Sequence, residues 1–145
     1  MPERQSTCPI CRGKANLKGI GPLNQQYSVK CIRCGDFLVT DRFDDTKPEL
    51  SPSTIANASG WISENQGISL KEADWSLLEK LATPSVGEKA DKLLLYLARK
   101  SPKPGSWIAA ETLATSKAVS ACWAIDEREV QYLRRLRFSW TRIWG

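Results

Sequence analysis

The sequence predicts an α+β fold in which a small cysteine-rich β region precedes a mainly α-helical domain. Two observations lead to this fold class. Four of the five cysteines lie in two CxxC pairs within the first 34 residues. After residue 50, the apolar residues change from a period of two, typical of strands, to the spacing typical of helices. We therefore divide the chain into three regions, residues 1–45, 46–84 and 85–145.

The two cysteine pairs have the spacing of a zinc site. Cys8 and Cys11 form one pair, Cys31 and Cys34 form the other, and 19 residues separate the pairs. Two residues between the cysteines of a pair allow a tight turn to direct both sulfurs at one ion, and two such turns complete a tetrahedron. Four thiolates leave no coordination position for water or substrate. We predict that these cysteines bind a structural Zn²⁺.

The segments around the cysteines are typical of a zinc ribbon. "QYSVKC" alternates like a strand, and "DFLVT" continues as another strand after Cys34. Gly35 supplies the permissive backbone with which such a turn closes. The alternatives are a redox dithiol or ordinary buried thiols. Both are disfavoured because the two pairs agree in spacing and no thioredoxin-like βαβ pattern surrounds either. Residues 1–45 are therefore predicted to be a zinc ribbon.

Residues 46–84 are predicted to be a linker with two connecting helices. Ser51 is the expected N-cap of the first helix, with Pro52 at its first position. The second helix is expected to begin with a capping box from Ser69 to Glu72. Its expected apolar stripe consists of Leu70, Ala73, Leu77 and Leu81.

Residues 85–145 are predicted to be a winged-helix-like domain. Ser85 and Glu88 form a capping box before a long amphipathic helix. A short strand at residues 107–108, further helical turns and a last helix capped by Asp126 follow. In a winged helix a β-hairpin wing comes next, but only "FSWTRIWG" remains. Either the wing is reduced or this is a shortened form of a longer protein. The tail has three interpretations: a basic, aromatic segment that binds phosphates, a wing strand, or an apolar patch left exposed by a missing domain. In the last two, the apolar side consists of Phe138, Trp140, Ile143 and Trp144.

The knuckles "CPIC" and "CIRCGDF", with "LSPSTIANASGWISENQG" and "VGEKADKLLLYLARKSPKPG", carry a resemblance that covers nearly the whole chain. They resemble the amino-terminal region of certain bacterial multidomain proteins. In those proteins a zinc ribbon and a winged-helix-like segment precede a separate effector domain, sometimes of TIR-like type. The resemblance implies an accessory or sensing module whose partner is a protein or an effector domain.

Several features argue against catalysis. The sequence contains no histidine, which excludes the commonest general base and the Ser-His and Cys-His nucleophilic arrangements. Cys122 has no adjacent cation that would lower its pKa, so an inert buried thiol is the better interpretation. Asp126 and Glu129 fit helix capping better than acid–base chemistry. We predict a protein that is not an enzyme.

Nucleic-acid binding is the competing function. The net charge is +5, and residues 130–145 contribute +4 of it, with four basic and no acidic side chains. On a recognition helix or in the tail after it, six side chains are candidates for contact: Arg128, Gln131, Arg134, Arg135, Arg137 and Arg142. The carboxylates of Asp126, Glu127 and Glu129 at the helix start argue against insertion into a DNA groove. A solvated charged face explains the pattern equally well.

The predicted function is therefore that of a non-catalytic, zinc-binding sensor or interaction module, an accessory region of a larger effector system. The alternatives are a DNA- or RNA-binding regulator and a shortened effector enzyme that lacks its catalytic domain. No apolar run reaches the roughly 20 residues of a membrane span, and the start of the chain lacks the features of a secretory signal. We expect a cytoplasmic protein with no membrane partner.

Overall fold

The computed structural model describes residues 3–23, 25–100 and 115–141, with side chains of the last helix through residue 136. The architecture is α+β, as predicted. Five strands form one sheet: β1 (Arg4–Thr7), β2 (Lys14–Ile20), β3 (Gln26–Cys31), β4 (Gly35–Thr40) and β5 (Ser69–Leu70). The described helices are α1 (Pro52–Glu64), α2 (Asp74–Glu79), α3 (Val86–Lys100), α4 (Ser116–Ala121) and α5 (Glu127–Thr141).

The first four strands form an antiparallel meander in the order β1-β2-β3-β4. The register pairs Thr7 with Lys14 at the β1–β2 connection, and Cys31 with both Ala15 and Gly35. Because alternate turns of a meander lie at the same edge of the sheet, the β1–β2 and β3–β4 turns are neighbours. Each of these turns carries one cysteine pair. The topology therefore brings together two pairs that are far apart in sequence.

Strand β5 corrects a prediction about the second connecting helix. Ser69 and Leu70 pair in parallel with β4 and do not open a helix. The Glu72 side chain accepts a hydrogen bond from the Thr40 hydroxyl (3.2 Å), so the capping box from Ser69 to Glu72 is wrong. Helix α2 begins at Asp74, whose carboxylate accepts from the Lys71 amide (2.7 Å).

The predicted apolar stripe of the second helix is also wrong in part. Leu77 is 48% exposed, whereas Trp75 and Leu78 are buried. Trp75 stacks on Phe43, with ring centroids 4.1 Å apart, and its indole donates to the Phe43 carbonyl (2.7 Å). An aromatic partner from the segment after β4 thus fixes the buried face of α2, and helical spacing alone does not identify that partner.

The other predicted caps are confirmed. The Ser51 hydroxyl accepts from the Thr54 amide (3.2 Å) at the start of α1. The Ser85 hydroxyl accepts from the Glu88 amide (3.2 Å), while the Glu88 carboxylate accepts from the Ser85 amide (2.8 Å). This reciprocal pair satisfies amides that the first turn of α3 leaves without helical partners.

The buried apolar residues form two clusters. The sheet cluster combines the cysteine turns and the inner face of the sheet with residues of α1, β5 and α2, and its largest members are Ile10, Val29, Phe37, Phe43, Ile62, Leu70, Trp75 and Leu78. The helical cluster consists of residues from α3, the region of α4 and α5: Ala90, Leu93, Leu97, Ala118, Val119, Cys122, Ala124, Val130 and Leu133.

Trp123 joins the two clusters. Its indole packs so closely on Gly60 of α1 that a Cβ added to the glycine would overlap the ring. The indole nitrogen donates to the Glu64 carboxylate (3.1 Å), and the Lys92 ammonium lies 5.0 Å from the ring centroid. The backbone of Trp123 is left-handed, with φ 58°, which is costly for a bulky residue. The close contact with α1 compensates for this local cost.

The carboxyl-terminal region departs from the expected wing. Helix α5 continues to Thr141, so the placement of Phe138 and Trp140 on a wing strand is wrong. The predicted strand at residues 107–108 and residues 142–145 lie outside the described residues. Within the described ranges, no helix combines the length and the apolar character that a membrane span requires.

Candidate metal centre

The four paired cysteines form a candidate metal-binding site. Their sulfur atoms all lie within 4.8 Å of one another, and none of the cysteines forms a disulfide. The sulfurs of Cys8 and Cys34 are 3.8 Å apart, and those of Cys11 and Cys31 are 3.4 Å apart. A tetrahedron with Zn–S distances of about 2.3 Å has sulfur–sulfur edges of about 3.8 Å. The cluster therefore has the dimensions of a tetrathiolate site.

The backbone of the first cysteine turn, between β1 and β2, directs its thiols inward. The Cys8 amide donates to the Gly13 carbonyl (2.8 Å), and the Arg12 amide donates to the Cys8 carbonyl (3.0 Å). Arg12 is left-handed, with φ 60°. This conformation frees the Gly13 amide to donate to the Cys11 sulfur (3.4 Å). The position after the second cysteine is thus strained in this turn because it is not a glycine.

The second cysteine turn, between β3 and β4, has the expected glycine at the position after its second cysteine. Gly35 has φ 89°, and the Cys34 amide donates to the Cys31 sulfur (3.4 Å). An amide donor to a sulfur stabilises the thiolate form, which is the form that binds metal. In each turn one sulfur accepts a backbone amide, Cys11 in the first turn and Cys31 in the second.

Helix α1 stabilises the second turn from the core side. The fully buried Ser59 hydroxyl lies 3.2 Å from the Cys34 sulfur. The Gln66 side chain, just after α1, donates to the Cys34 carbonyl (3.0 Å) and accepts from the Asp36 amide (2.6 Å). Its amide group lies where a Cβ on Gly35 would be, so a larger residue at position 35 would have to displace this side chain. These contacts fix the orientation of a ligand, as outer-shell groups do in metal sites.

The segment after β4 stabilises the first turn. The Lys47 ammonium donates to the Pro9 carbonyl (2.5 Å). Burial lowers the pKa of Lys47, and the neighbouring Arg12 lowers it further, while Asp44, Cys8 and Cys11 oppose the shift. Thiolates at the cluster would therefore favour the charged lysine. A cation beside the turn also reduces the repulsion that four thiolates create.

Contacts among the thiols separate their pKa values strongly. The pKa of Cys31 is lowered far below its ordinary value by contacts with Cys11, Cys34 and Cys8. The pKa values of Cys8 and Cys34 are raised, in each case first by the contact with Cys11. For Cys11, the contact with Cys31 raises the pKa, but those with Cys34 and Cys8 lower it to about 7. Four thiolates this close need a compensating cation, which a bound divalent metal would supply.

Cys122 lies apart from this site. Its thiol is buried and donates to the Ala118 carbonyl (3.2 Å), and burial raises its pKa to about 11. A neutral, inaccessible thiol is unreactive at physiological pH. The structure thus places Cys122 among the core residues of the helical cluster, in agreement with its interpretation as an inert thiol.

The candidate nucleic-acid residues lie on α5 as far as they are described. Arg128, Arg134 and Arg135 are exposed, and Gln131 is half-buried. Arg137 is helical, but its side chain is outside the described set, as is Arg142 altogether. Sequence reasoning missed Tyr132, which is 54% exposed. It lies four residues after Arg128 and three before Arg135, so helical spacing places it on their face.

The acidic start of α5 is partly neutralised within the fold. The Glu129 carboxylate accepts from the Lys89 ammonium of α3 (2.6 Å) and from the Ile125 amide (2.6 Å). The Asp126 carboxylate accepts from the Glu129 amide (3.0 Å). The carboxylates of Asp126 and Glu129 are thus both capping groups, as predicted. Glu127 remains exposed. The carboxylate of Glu129 therefore faces α3 and not the exposed arginines.

Sequence reasoning also missed the residues that surround the cysteines. Ser59 offered a signal, because it is a polar residue on the apolar face of α1. Arg33 and Gln66 offered none, because their partners lie 91 and 32 residues away. Compared with known proteins, the chain matches no family model, no curated protein and no solved structure.

Proposed function

We propose that the chain is a non-catalytic, zinc-binding interaction module in which residues 1–45 form a zinc ribbon. The observation that supports this most directly is the convergence of four thiols whose sulfurs lie within 4.8 Å of one another, near the edge of about 3.8 Å in a zinc tetrathiolate. Such a donor set suits Zn²⁺, and it leaves no open position for a substrate. The metal would stabilise the fold, because a ribbon of this size has too small a core to fold without it.

Metal analysis of the purified chain tests this proposal. We expect one zinc per chain, and we expect Co²⁺ substitution to give the absorption spectrum of tetrahedral thiolate coordination. Cys34→Ser should lose the metal, whereas Cys122→Ser, the matched control, should retain it. Acidification should release the metal because protons compete for the thiolates. Absence of stoichiometric metal, with an unchanged fold after chelation, would overturn the proposal.

The module is further proposed to serve as an accessory or sensing region of a cytoplasmic effector system, in line with the resemblance of its cysteine knuckles. A reducing compartment would keep all five thiols free for metal binding and packing. The helical part is proposed to be winged-helix-like, since α3, α4 and α5 pack around one apolar cluster. Inspection of the genomic reading frame that flanks the gene tests the effector proposal. Neighbouring sequence without any catalytic domain would count against it.

Nucleic-acid binding is the second candidate, because Arg128, Tyr132 and Arg135 present two guanidinium groups and an aromatic ring on one exposed helix face. Arginines bind phosphates, and the ring would stack on unpaired bases. We expect binding of single-stranded oligonucleotides to weaken steeply with salt. Replacement of Arg128, Arg134 and Arg135 by glutamine should reduce the salt slope, whereas glutamine at the distant Lys71 and Lys80 should not. Salt-independent binding, or none, would exclude this candidate.

A further inference from the structure

The second cysteine turn makes a direct polar contact with the start of α5. One terminal nitrogen (Nη2) of Arg33, between Cys31 and Cys34, donates to the carbonyls of Ala124 (2.9 Å) and Ile125 (3.2 Å). Ala124 and Ile125 lie just before the N-cap residue Asp126. The residue between two metal ligands thus contacts the segment from which α5 begins.

Little side-chain packing accompanies this contact. A cleft of about 400 Å³ opens beside it, lined from one side by Ile32 and Arg33 and from the other by Ile125, Asp126 and Glu127. Ile32 and Ile125 are 58% and 43% exposed, so they do not form a shared apolar core. The hydrogen bonds of Arg33 are therefore the main direct link between the second cysteine turn and α5.

The contact is charge-assisted and half-buried. A guanidinium bonded to carbonyl oxygens forms stronger hydrogen bonds than a neutral donor. The Arg33 Nε atom is buried without a hydrogen-bond partner among the described residues. An unsatisfied buried donor is costly. The two bonds from Nη2 therefore hold the side chain in place against this cost. Among the described residues, the Arg33 side chain forms hydrogen bonds only to the carbonyls of Ala124 and Ile125.

Arg33 can hold this position only if its own turn is ordered. Its neighbours in the chain are Ile32 and Cys34, and the turn closes on the cysteine sulfurs. Four thiols without a cation repel one another when ionised, so metal binding would order this turn. We propose that Arg33 is a positioning residue that couples metal binding at the four cysteines to the placement of the first turn of α5. This inference rests on the proposed metal site.

The coupling makes the α5 face metal-dependent. Arg128 and Tyr132 lie within the first two turns of α5, so their position relative to the sheet depends on the turn that Arg33 anchors. Coupling is reciprocal: if the metal stabilises the start of α5, an intact contact with α5 strengthens metal binding by the same factor. Oxidation of the cysteines, or removal of the metal by a chelator, would therefore change the surface that α5 presents to a partner.

Amide hydrogen exchange on the full chain, with Zn²⁺ as the probe, tests the coupling. In the wild type, Zn²⁺ should raise the protection of the 125–130 amides about 10-fold, within the usual range of coupling between sites. Arg33→Ala should remove this gain and weaken Zn²⁺ binding by a similar factor in competition with a chelator. Arg33→Lys, which keeps one cationic donor, should retain part of both effects. Ile32→Ala, in the same turn and exposed, is the matched control and should behave as the wild type.

The outcomes separate the inference from the proposed function. If no variant binds Zn²⁺ stoichiometrically, the proposed function is overturned. If Zn²⁺ binds but protection at 125–130 is the same with and without it, or is the same in Arg33→Ala and Ile32→Ala, the coupling is overturned. If removal of the metal unfolds the whole chain, comparison of the two zinc-loaded variants still decides, since only Arg33→Ala should lose protection at the start of α5.

Discussion

The cysteines of this chain have pKa values that depend on what surrounds each sulfur. In the metal-site cluster, thiol–thiol contacts dominate and separate the four values. At Cys122, burial dominates and raises the pKa to about 11 from an ordinary value of 9.0. The same residue type is thus a candidate ligand in one place and an inert core residue in another.

The raised pKa of Cys122 predicts a loss of stability in alkaline solution. Below pH 9 the thiol is protonated in both the folded and the unfolded chain, so its stabilising effect is fully present. As the pH rises from 9 towards 11, the unfolded chain ionises first, and up to about 3 kcal/mol of unfolding free energy is lost. Urea unfolding measured across this range should show the loss in the wild type. A Cys122→Ala variant, although less stable overall, should show a smaller pH dependence; an identical slope would contradict the assignment.

At the scale of single elements, the contact between α1 and Trp123 gives the sharpest prediction. Gly60→Ala would place a methyl group into the space of the indole ring. Overpacking of this kind costs about 1–3 kcal/mol, so we expect a lower midpoint of denaturation and weaker contact between the two clusters. Thermal or urea unfolding measures the effect.

Gly87→Ala provides the matched control for this substitution. Gly87 lies in the first turn of α3, and the nearest atom to an added Cβ is 3.9 Å away. Alanine there restricts the unfolded chain without a clash, so it should stabilise the protein by about 0.4–1 kcal/mol. Equal effects of the two substitutions would show that the Trp123 contact does not constrain α1.

The elements that could be predicted from the sequence are those whose signals are local. The spacing of Cys8, Cys11, Cys31 and Cys34 and the alternation in "QYSVKC" and "DFLVT" identified the cluster and the strands β3 and β4. The caps at Ser51 and Ser85 need only residues within the same turn.

The elements that could not be predicted depend on distant partners. The segment from Ser69 to Glu72 has the local pattern of a capping box, but pairing with β4 and a hydrogen bond from Thr40 give it a different structure. Arg33 and Gln66 have no distinctive local pattern, and their roles follow only from the packing of α1 and α5 near the second cysteine turn.

At the scale of the whole molecule, the two apolar clusters differ in their relation to the metal site. The sheet cluster contains Cys8, Cys31 and Cys34, with the half-buried Cys11 packed against it, and the helical cluster contains none of the four. Side-chain contacts connect the two clusters: Arg33 with the start of α5, the Ser63 hydroxyl with the Ser120 carbonyl (3.4 Å), Trp123 with α1, and the Lys92 ammonium of α3 with the Glu64 carboxylate of α1. Loss of the metal should therefore act unequally on the two clusters.

Hydrogen exchange after chelation checks this expectation. Amides of β3 and β4 should lose at least about 100-fold in protection, since their order depends on the metal. The interior amides of α3 and the later turns of α5 should lose much less, because Leu93, Leu97 and Leu133 stay packed together. Added Zn²⁺ should restore the original pattern. An equal loss throughout would mean that the chain unfolds as a single cooperative unit.

The close contact between the Trp123 indole and Gly60 also constrains which substitutions this sequence can accumulate. A larger side chain at position 60 has no room while the indole is present, and a smaller residue at position 123 leaves the groove over α1 unfilled. A change at position 60 is therefore better tolerated when position 123 changes with it. Among sequences descended from this gene, a bulky residue at position 123 should occur together with glycine at position 60. Such covariation would indicate that the contact between the two clusters is retained.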